Sequence, residues 1–267
     1  MVVCRSSTEA KLHAANEASS DILHTVLQIT QKTVQIFEDN QAIITLKLAM
    51  RLSTNRLRYD LESRDILTNL QAAFRKGRCT NDVTMSLVSD VIDGFNKKKP
   101  IQTTAALIDF SRAFDKVNHK RLLDQFENPS IPSCFARWYR SFLTDRKYCV
   151  HFGTARSTFV RFANGVPQGS VSGPLLFVIY SVSLISQLDL LECKGLKVAM
   201  FADDLTIWHC SSSISISCPT FQLALNIVQN WSSEYGMPLS DGKTEAIHFS
   251  RARNRPEFSP GLLFLNG

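Results

Sequence analysis

The chain has 267 residues, 44% of them hydrophobic and 20% charged, with 11 Gly and 9 Pro; this balance supports a sizeable buried core and excludes collagen-like, coiled-coil and wholly disordered chains. Lys and Arg outnumber Asp and Glu by 30 to 24, a formal charge of +6 that admits a polyanionic partner without requiring one. Seven cysteines (Cys4, Cys79, Cys134, Cys149, Cys193, Cys210, Cys218) without a C-x-x-C pair exclude a disulfide framework and a thiolate zinc cage. They fit a reducing, intracellular compartment and no disulfide-linked partner.

The N-terminus turns polar after Met1-Val2-Val3-Cys4-Arg5 and offers no apolar stretch for a signal peptide. From about Asp21 to Ile66 apolar residues recur at helical spacing, among them Ile22, Val26, Ile29, Leu48, Leu52, Leu57 and Leu61. A basic segment, Phe74-Arg75-Lys76-Gly77-Arg78, precedes a second amphipathic helix over Asn81 to Phe95, which ends at Lys97-Lys98-Lys99-Pro100. Thr103 to Ile108 reads as a buried strand that stops at Asp109, with a helix starting within the next few residues.

Pro129 to Arg146 reads as an amphipathic helix with a basic polar side, and Trp138, Tyr139 and Phe142 as its core residues. Tyr148 to Phe162 alternates as a hairpin does, ahead of the turn-rich run from Asn164 to Ser170. Ser172 as cap and Pro174 in the first turn open an uncharged helix to Leu188, shorter than the ~20 residues of a membrane span and therefore read as buried, with no membrane partner. Val198 to Ala202 and Leu205 to Trp208 are apolar strands that leave Asp203-Asp204 at a tight hairpin tip. A serine-rich loop, Ser211 to Ser217, then leads to a helix over Gln222 to Glu234.

Three acids stand where stability would not place them: Asp109 directly after a buried strand, and Asp203 with Asp204 between two strands. Adjacent carboxylates repel and raise each other's pKa unless a cation neutralises them. Mg²⁺ suits such a site, because it takes a few hard carboxylate oxygens and keeps its other positions for water and phosphate. If the hairpin tip lies beside the end of the Asp109 strand, the carboxylates come within about 4–7 Å and can hold two ions ~4 Å apart, the arrangement of in-line phosphoryl transfer. The other reading of the same residues is a helix cap at Asp109 and an exposed turn at Asp203-Asp204.

The ordered set Ala106-Leu107-Ile108-Asp109-Phe110-Ser111-Arg112-Ala113-Phe114-Asp115, Gly165-Val166-Pro167-Gln168-Gly169-Ser170 and Phe201-Ala202-Asp203-Asp204 resembles the motifs of reverse transcriptases. Ala73-Phe74-Arg75-Lys76-Gly77-Arg78, Ala113-Phe114-Asp115-Lys116-Val117 and Ser172-Gly173-Pro174-Leu175-Leu176-Phe177 are similar to the non-LTR, LINE-type class, and within it to the ingi-like group of trypanosomatids. The resemblance covers roughly Lys47 to Ser250. It implies an α+β fold: a right-hand polymerase palm, an antiparallel sheet backed by helices, with a partial, largely helical fingers region and the thumb absent. The implied organisation is an atypical helical segment over 1–46, partial fingers over 47–100, and palm over 101–267 with 120–163 as a fingers/palm insertion.

The implied activity is RNA-directed DNA synthesis, with RNA template, DNA primer and deoxynucleoside triphosphates as partners and two Mg²⁺ ions, or Mn²⁺, as cofactors. Asp109, Asp203 and Asp204 become the catalytic, metal-holding acids. Phe110 offers a carbonyl to a metal, the amides of Arg112 and Ala113 meet the triphosphate, and Phe114 matches the aromatic gate under the sugar, although ordinary core packing is the alternative for that ring. Gln168 and Gly169 match the loop against nucleotide and template, and Lys243 a lysine that stabilises phosphate charge. Arg75, Lys76 and Arg78 match a basic segment on the template backbone.

Two departures stand out. The family's Arg-Pro-Ile/Val segment, whose basic residue grips the triphosphate, aligns with Phe37-Glu38-Asp39-Asn40, and Leu262 to Gly267 resembles only the start of the hairpin leading to the primer grip. The expectation is a truncated copy, weakly active or inactive, nuclear by resemblance. A non-catalytic remnant that binds nucleic acid is the alternative.

Overall fold

The computed structural model describes residues 40–149, 151–152, 155–161, 163–167, 169–240 and 242–251. Expectations for the N-terminal segment before Asn40, for Gln168 and for Leu262–Gly267 lie outside them. The chain divides into two compact units, one of residues 1–66, 123–163 and 169–173, the other of residues 67–122, 164–168 and 174–267.

The first unit contains α1 (Asn40–Ser63) and α5 (Ser133–Leu143). Between these two in sequence come α2 (Thr80–Asn96), β1 (Gln102–Ile108), α3 (Ala113–Lys116) and α4 (His119–Gln125). Leu57, Leu61, Phe135, Trp138 and Leu143 are buried, as their helical spacing requires, and Tyr139 stacks on Phe126 with ring centroids 5.2 Å apart. Burial pushes the Tyr139 hydroxyl pKa up, and the hydroxyl finds Ser172 at 3.4 Å and Thr54 at 3.5 Å. The predicted hairpin forms as two short ladders, β2 (Lys147–Tyr148) with β5 (Val160–Arg161) and β3 (His151–Phe152) with β4 (Ala155–Arg156). Ser172 does not cap the next helix through its side chain. Its Oγ lies 2.8 Å from Thr54 Oγ, and the N–H of Gly173 donates instead to Ser170 Oγ at 3.0 Å.

The second unit is built on an antiparallel sheet of order β6-β7-β1-β8, with β6 (Leu196–Phe201), β7 (Asp204–Ser211) and β8 (Glu245–Phe249). Pairing of Ala105 with Trp208 puts these two on one face with Ala199, packed against Val83 and Leu87 of α2. Alternate residues point the other way: His209 on β7 shares a hydrogen bond between its Nδ1 and Ser217 Oγ, 2.9 Å away on α7 (Ile214–Tyr235). α6 (Gly173–Asp189), continued to Lys194 by a 3₁₀ turn, is long and apolar enough to cross a membrane, but Leu176, Tyr180, Leu184, Ile185 and Leu188 are fully covered by protein. It is the core helix its composition suggested.

One expectation changes, and another is met by a short element. The serine-rich stretch is no loop: Ser211 closes β7 and α7 begins at Ile214, because Ser213 adopts the extended cap conformation and Ser217 spends its hydroxyl on His209 and Ser211. Pro219, in the second turn, costs the helix a single backbone bond. The helix after Asp109 is only the four residues of α3, since Arg112 turns the chain left-handed at φ +52° and Val117 ends it.

An aromatic cluster joins α6 to α7. Trp231 stacks on Tyr235 at 4.7 Å, Tyr180 meets both edge-on, and Phe110 meets Trp231 at 5.7 Å. The Tyr180 hydroxyl donates to the Tyr235 carbonyl at 2.6 Å and accepts from the Asn118 N–H at 3.2 Å. Its pKa is pushed up to about 12, first by burial. Tyr180→Phe should therefore destabilise by about 2 kcal/mol, lowering Tm by about 4–8 °C, by leaving two buried backbone groups unpaired. The folded hydroxyl resists ionisation, so stability falls as pH rises from 10 towards 12, and the variant should lose that part of the slope in denaturant melts across pH.

Candidate active site

β1 and β7 pair in a register that sets Ile108 opposite Leu205, and β7 turns back into β6 with Asp204 opposite Phe201. One residue beyond Ile108, Asp109 is thus delivered beside the hairpin. The tip itself is Ala202-Asp203, with Asp204 already in the ladder. Asp109 is held from its other side as well: the Ser240 N–H donates to the Asp109 carbonyl at 2.9 Å, and the Ser111 N–H to that of Pro238 at 2.8 Å.

The three acids sense one another. Burial pushes the Asp203 carboxyl pKa up, a hydrogen bond from its own backbone opposes this, and the negative charges of Asp204 and Asp109 raise it further. Lys243 acts in the other direction. Its Nζ lies 3.6 Å from Asp109 Oδ2, on a side chain 73% exposed, so as an ion pair it is weak, but it sets a cation beside the acids. Among the described residues, no three or more His, Cys, Asp or Glu side chains close into a metal cage. That does not exclude Mg²⁺, which binds through one or two carboxylates and completes its shell with water and substrate phosphate. A half-buried carboxyl crowded by two others and faced by a lysine is the electrostatic environment that a divalent cation relieves.

The other predicted residues fall around this point. Phe110 is buried, with its backbone bridged to Leu239. Arg112 is exposed at a positive φ, and Ala113 is buried. Phe114, half-buried, stacks on Phe177 at 4.7 Å and meets the edge of Phe74 at 6.2 Å. Gly165, at φ +88°, approaches Asp115 so closely that a Cβ would lie 2.8 Å from the Asp115 carbonyl oxygen, and its N–H donates to Val117 at 2.7 Å. The turn before Gln168 is thereby fixed to α3. Gly169, at φ +77°, has open space where a side chain would stand.

Arg75 donates to the carbonyls of Thr68 and Gln71, and Arg78 to the carbonyl and side chain of Asn69, while Lys76 is exposed. Sequence reasoning missed Gln71. Its signal was a polar residue framed by Leu70, Ala72 and Ala73, and it is 1% exposed, with its side-chain amide on the backbone of Ala202.

An antiparallel sheet backed by helices, with acids at a strand end and at the adjoining hairpin tip, is a right-hand polymerase palm. Residues 39–258 match the family described as Reverse transcriptase (RNA-dependent DNA polymerase), and the chain belongs to that family. It is 28% identical over 210 residues to a probable RNA-directed DNA polymerase from transposon X-element of Drosophila melanogaster, covering 79% of this chain and 23% of the relative. It is 27% identical over 223 residues to the RNA-directed DNA polymerase from mobile element jockey of the same fly, covering 83% and 24%. These relatives place it with the LINE-type enzymes, and the chain spans about a quarter of their length. A telomerase from Candida albicans, solved with a fragment of telomeric RNA, shares the fold with a TM-score of 0.62 at 11% identity, over 84% of this chain and 39% of that one.

Because folding raises the Asp203 pKa, the ionised carboxyl costs stability once pH exceeds its unfolded value, and the loss grows until pH passes the folded one. Asp203→Asn should accordingly raise Tm by about 1–3 °C at pH 7.5 in metal-free buffer and by nothing near pH 3. Added Mg²⁺ should stabilise wild type and not the variant. Calorimetry at the two pH values checks the sign.

Proposed function

We propose that this chain is the catalytic core of an RNA-directed DNA polymerase, adding deoxynucleotides to a DNA primer on an RNA template. What carries the reading is the meeting of Asp109 with the hairpin that bears Asp203 and Asp204, with Lys243 beside them. Asp109, Asp203 and Asp204 are the acids that would hold Mg²⁺ or Mn²⁺. When bound, the metal ions supply activation of the primer 3′-hydroxyl and neutralisation of triphosphate charge. The chain's own residues do the positioning. The Phe110 carbonyl would face a metal, and the Arg112 and Ala113 amides form the turn on which the triphosphate rests. Gln168 and Gly169 approach nucleotide and template, Lys243 faces phosphate charge, and Arg75, Lys76 and Arg78 stand at the template strand. Affiliation with the ingi-like group, and a nuclear place of work on chromosomal DNA, belong to the same proposal and rest on the motifs of the sequence.

Activity of the chain by itself should be low. Acidic residues, Glu38 and Asp39, occupy the stretch where the family carries its triphosphate cation, and removal of one such contact costs about 10²- to 10³-fold in rate. Primer extension on poly(rA) with oligo(dT), Mg²⁺ or Mn²⁺ and thymidine triphosphate should give weak incorporation that Asp203→Asn abolishes. Incorporation that survives in Asp203→Asn would overturn the reading. No extension in either protein, with undiminished template binding, would favour the nucleic-acid-binding remnant.

Phe114 gives a second test. Its ring stacks on Phe177 and meets Phe74 at a right angle but is only half-buried, and its open part is what would pack under a deoxyribose and exclude a 2′-hydroxyl. Phe114→Ala should raise ribonucleotide relative to deoxyribonucleotide incorporation by about 10- to 100-fold, in line with the energy of one steric contact at a sugar. An unchanged ratio would return Phe114 to the core.

A further inference from the structure

We propose that Gln71 is the positioning residue for Asp203, acting through the backbone of Ala202; the inference rests on the polymerase reading for what Asp203 does, but the clamp itself is independent of it. The segment around Gln71 adds a short parallel rung to the free edge of β6: the Met200 N–H donates to the Leu70 carbonyl at 2.7 Å, and the Ala72 N–H to the Met200 carbonyl at 2.8 Å. From that rung the Gln71 side chain, 1% exposed, reaches the hairpin tip. Its Oε1 accepts from the Ala202 N–H at 3.1 Å, and its Nε2 donates to the Ala202 carbonyl at 3.1 Å. Oε1 also accepts from the Ala73 N–H at 3.1 Å, and Nε2 lies 3.4 Å from Ser181 Oγ, so both ends of the amide are fixed and its orientation is set.

Ala202 needs such a clamp. It adopts φ +56°, a left-handed conformation in which its Cβ is crowded by its own backbone and which tight hairpins usually assign to glycine. A residue in that region persists where its surroundings over-determine it. Here the surroundings are one buried amide that satisfies both polar groups of the strained residue. Asp203 is the next residue, so any relaxation of the strained turn at Ala202 is passed directly to it. With the clamp removed, the turn can relax and carry Asp203 away from Asp109. A displacement of ~1 Å at a reacting centre costs about 10²-fold in rate.

The test compares wild type, Gln71→Leu, the double variant Gln71→Leu/Ala202→Gly, and Asp203→Asn, with three readouts: amide hydrogen exchange at residue 202, Mn²⁺ affinity by calorimetry, and primer extension. Gln71→Leu should speed exchange at Ala202 by about 10²-fold beyond any change in global stability. It should weaken Mn²⁺ about 10-fold and lower kcat by about 10- to 100-fold, with template-primer KM unchanged. Adding Ala202→Gly should restore at least half of the logarithmic loss in Mn²⁺ affinity and kcat, because glycine holds the positive φ without help. Rescue of this kind separates positioning from a general packing role, which a cavity-neutral glycine at residue 202 would not repair. Equal exchange at residue 202, or losses that track Tm and resist the glycine, would overturn the clamp. Mn²⁺ binding and extension undisturbed in Asp203→Asn would instead overturn the polymerase reading, while the exchange data still decide on Gln71.

Discussion

Crowding of like charge at the end of a buried sheet is the constraint around which the second unit is arranged. Asp109, Asp203 and Asp204 do not attract one another, and Asp203 is held in a half-buried place where its ionised form is disfavoured. Nothing about three acids draws them together. The backbone forces their approach, through a ladder that runs from Gln102 opposite Ser211 to Ile108 opposite Leu205, with Ala105, Ala106 and Ile108 buried within it. The apolar core thus enforces the polar site.

Among its described residues the same unit holds three non-glycine residues at positive φ, Phe74, Arg112 and Ala202, each next to a residue proposed for a role in synthesis. Each lies outside the regular elements: in the turn between α1 and α2, between β1 and α3, and in the β6-β7 turn. Strain of this kind is supported by fixed surroundings. Around Ala202 that support is the Gln71 amide; around Arg112 it is the pairing of residues 109–111 with 238–240, backed by Phe110 on Trp231. The aromatic cluster of Tyr180, Trp231 and Tyr235 is therefore part of the site in an indirect sense, since it anchors the backbone that follows Asp109, at Phe110 and Asn118.

How much of this was legible in the sequence depended on the range of the interaction. Strands β1, β6 and β7 are marked by apolar runs, and the acids by their contrast with those runs, so these three strands and the hairpin could be read directly, whereas β8, with Glu245 and His248 in it, was not. Local hydrogen bonding was harder. Ser172 looked like a cap, but its hydroxyl pairs with that of Thr54 and accepts from Tyr139, and the serines after Ser211 looked like a loop and begin α7. The Ser172 hydroxyl found partners 118 and 33 residues away along the chain, which no window of neighbouring residues reveals. Gln71 was missed for the same reason, because its partner lies 131 residues along the chain.

The basic segment illustrates how sequence-level charge can be assigned twice. Arg75 and Arg78 look like template contacts, yet their guanidinium groups already close the loop from Thr68 to Arg78, and one of the carbonyls that Arg75 holds is that of Gln71. A guanidinium has five N–H donors, so holding the loop and meeting a phosphate are compatible, and the first makes the second more effective by fixing the side chain in advance. The path from Arg75 through the Gln71 backbone, the Gln71 amide and Ala202 then ends at Asp203, entirely within one unit. A change of Arg75 would reach the acids even if no nucleic acid touched it. Loss of activity on substituting this arginine is therefore no measure of template contact, whereas Lys76, exposed between the two, reports on the electrostatic surface alone.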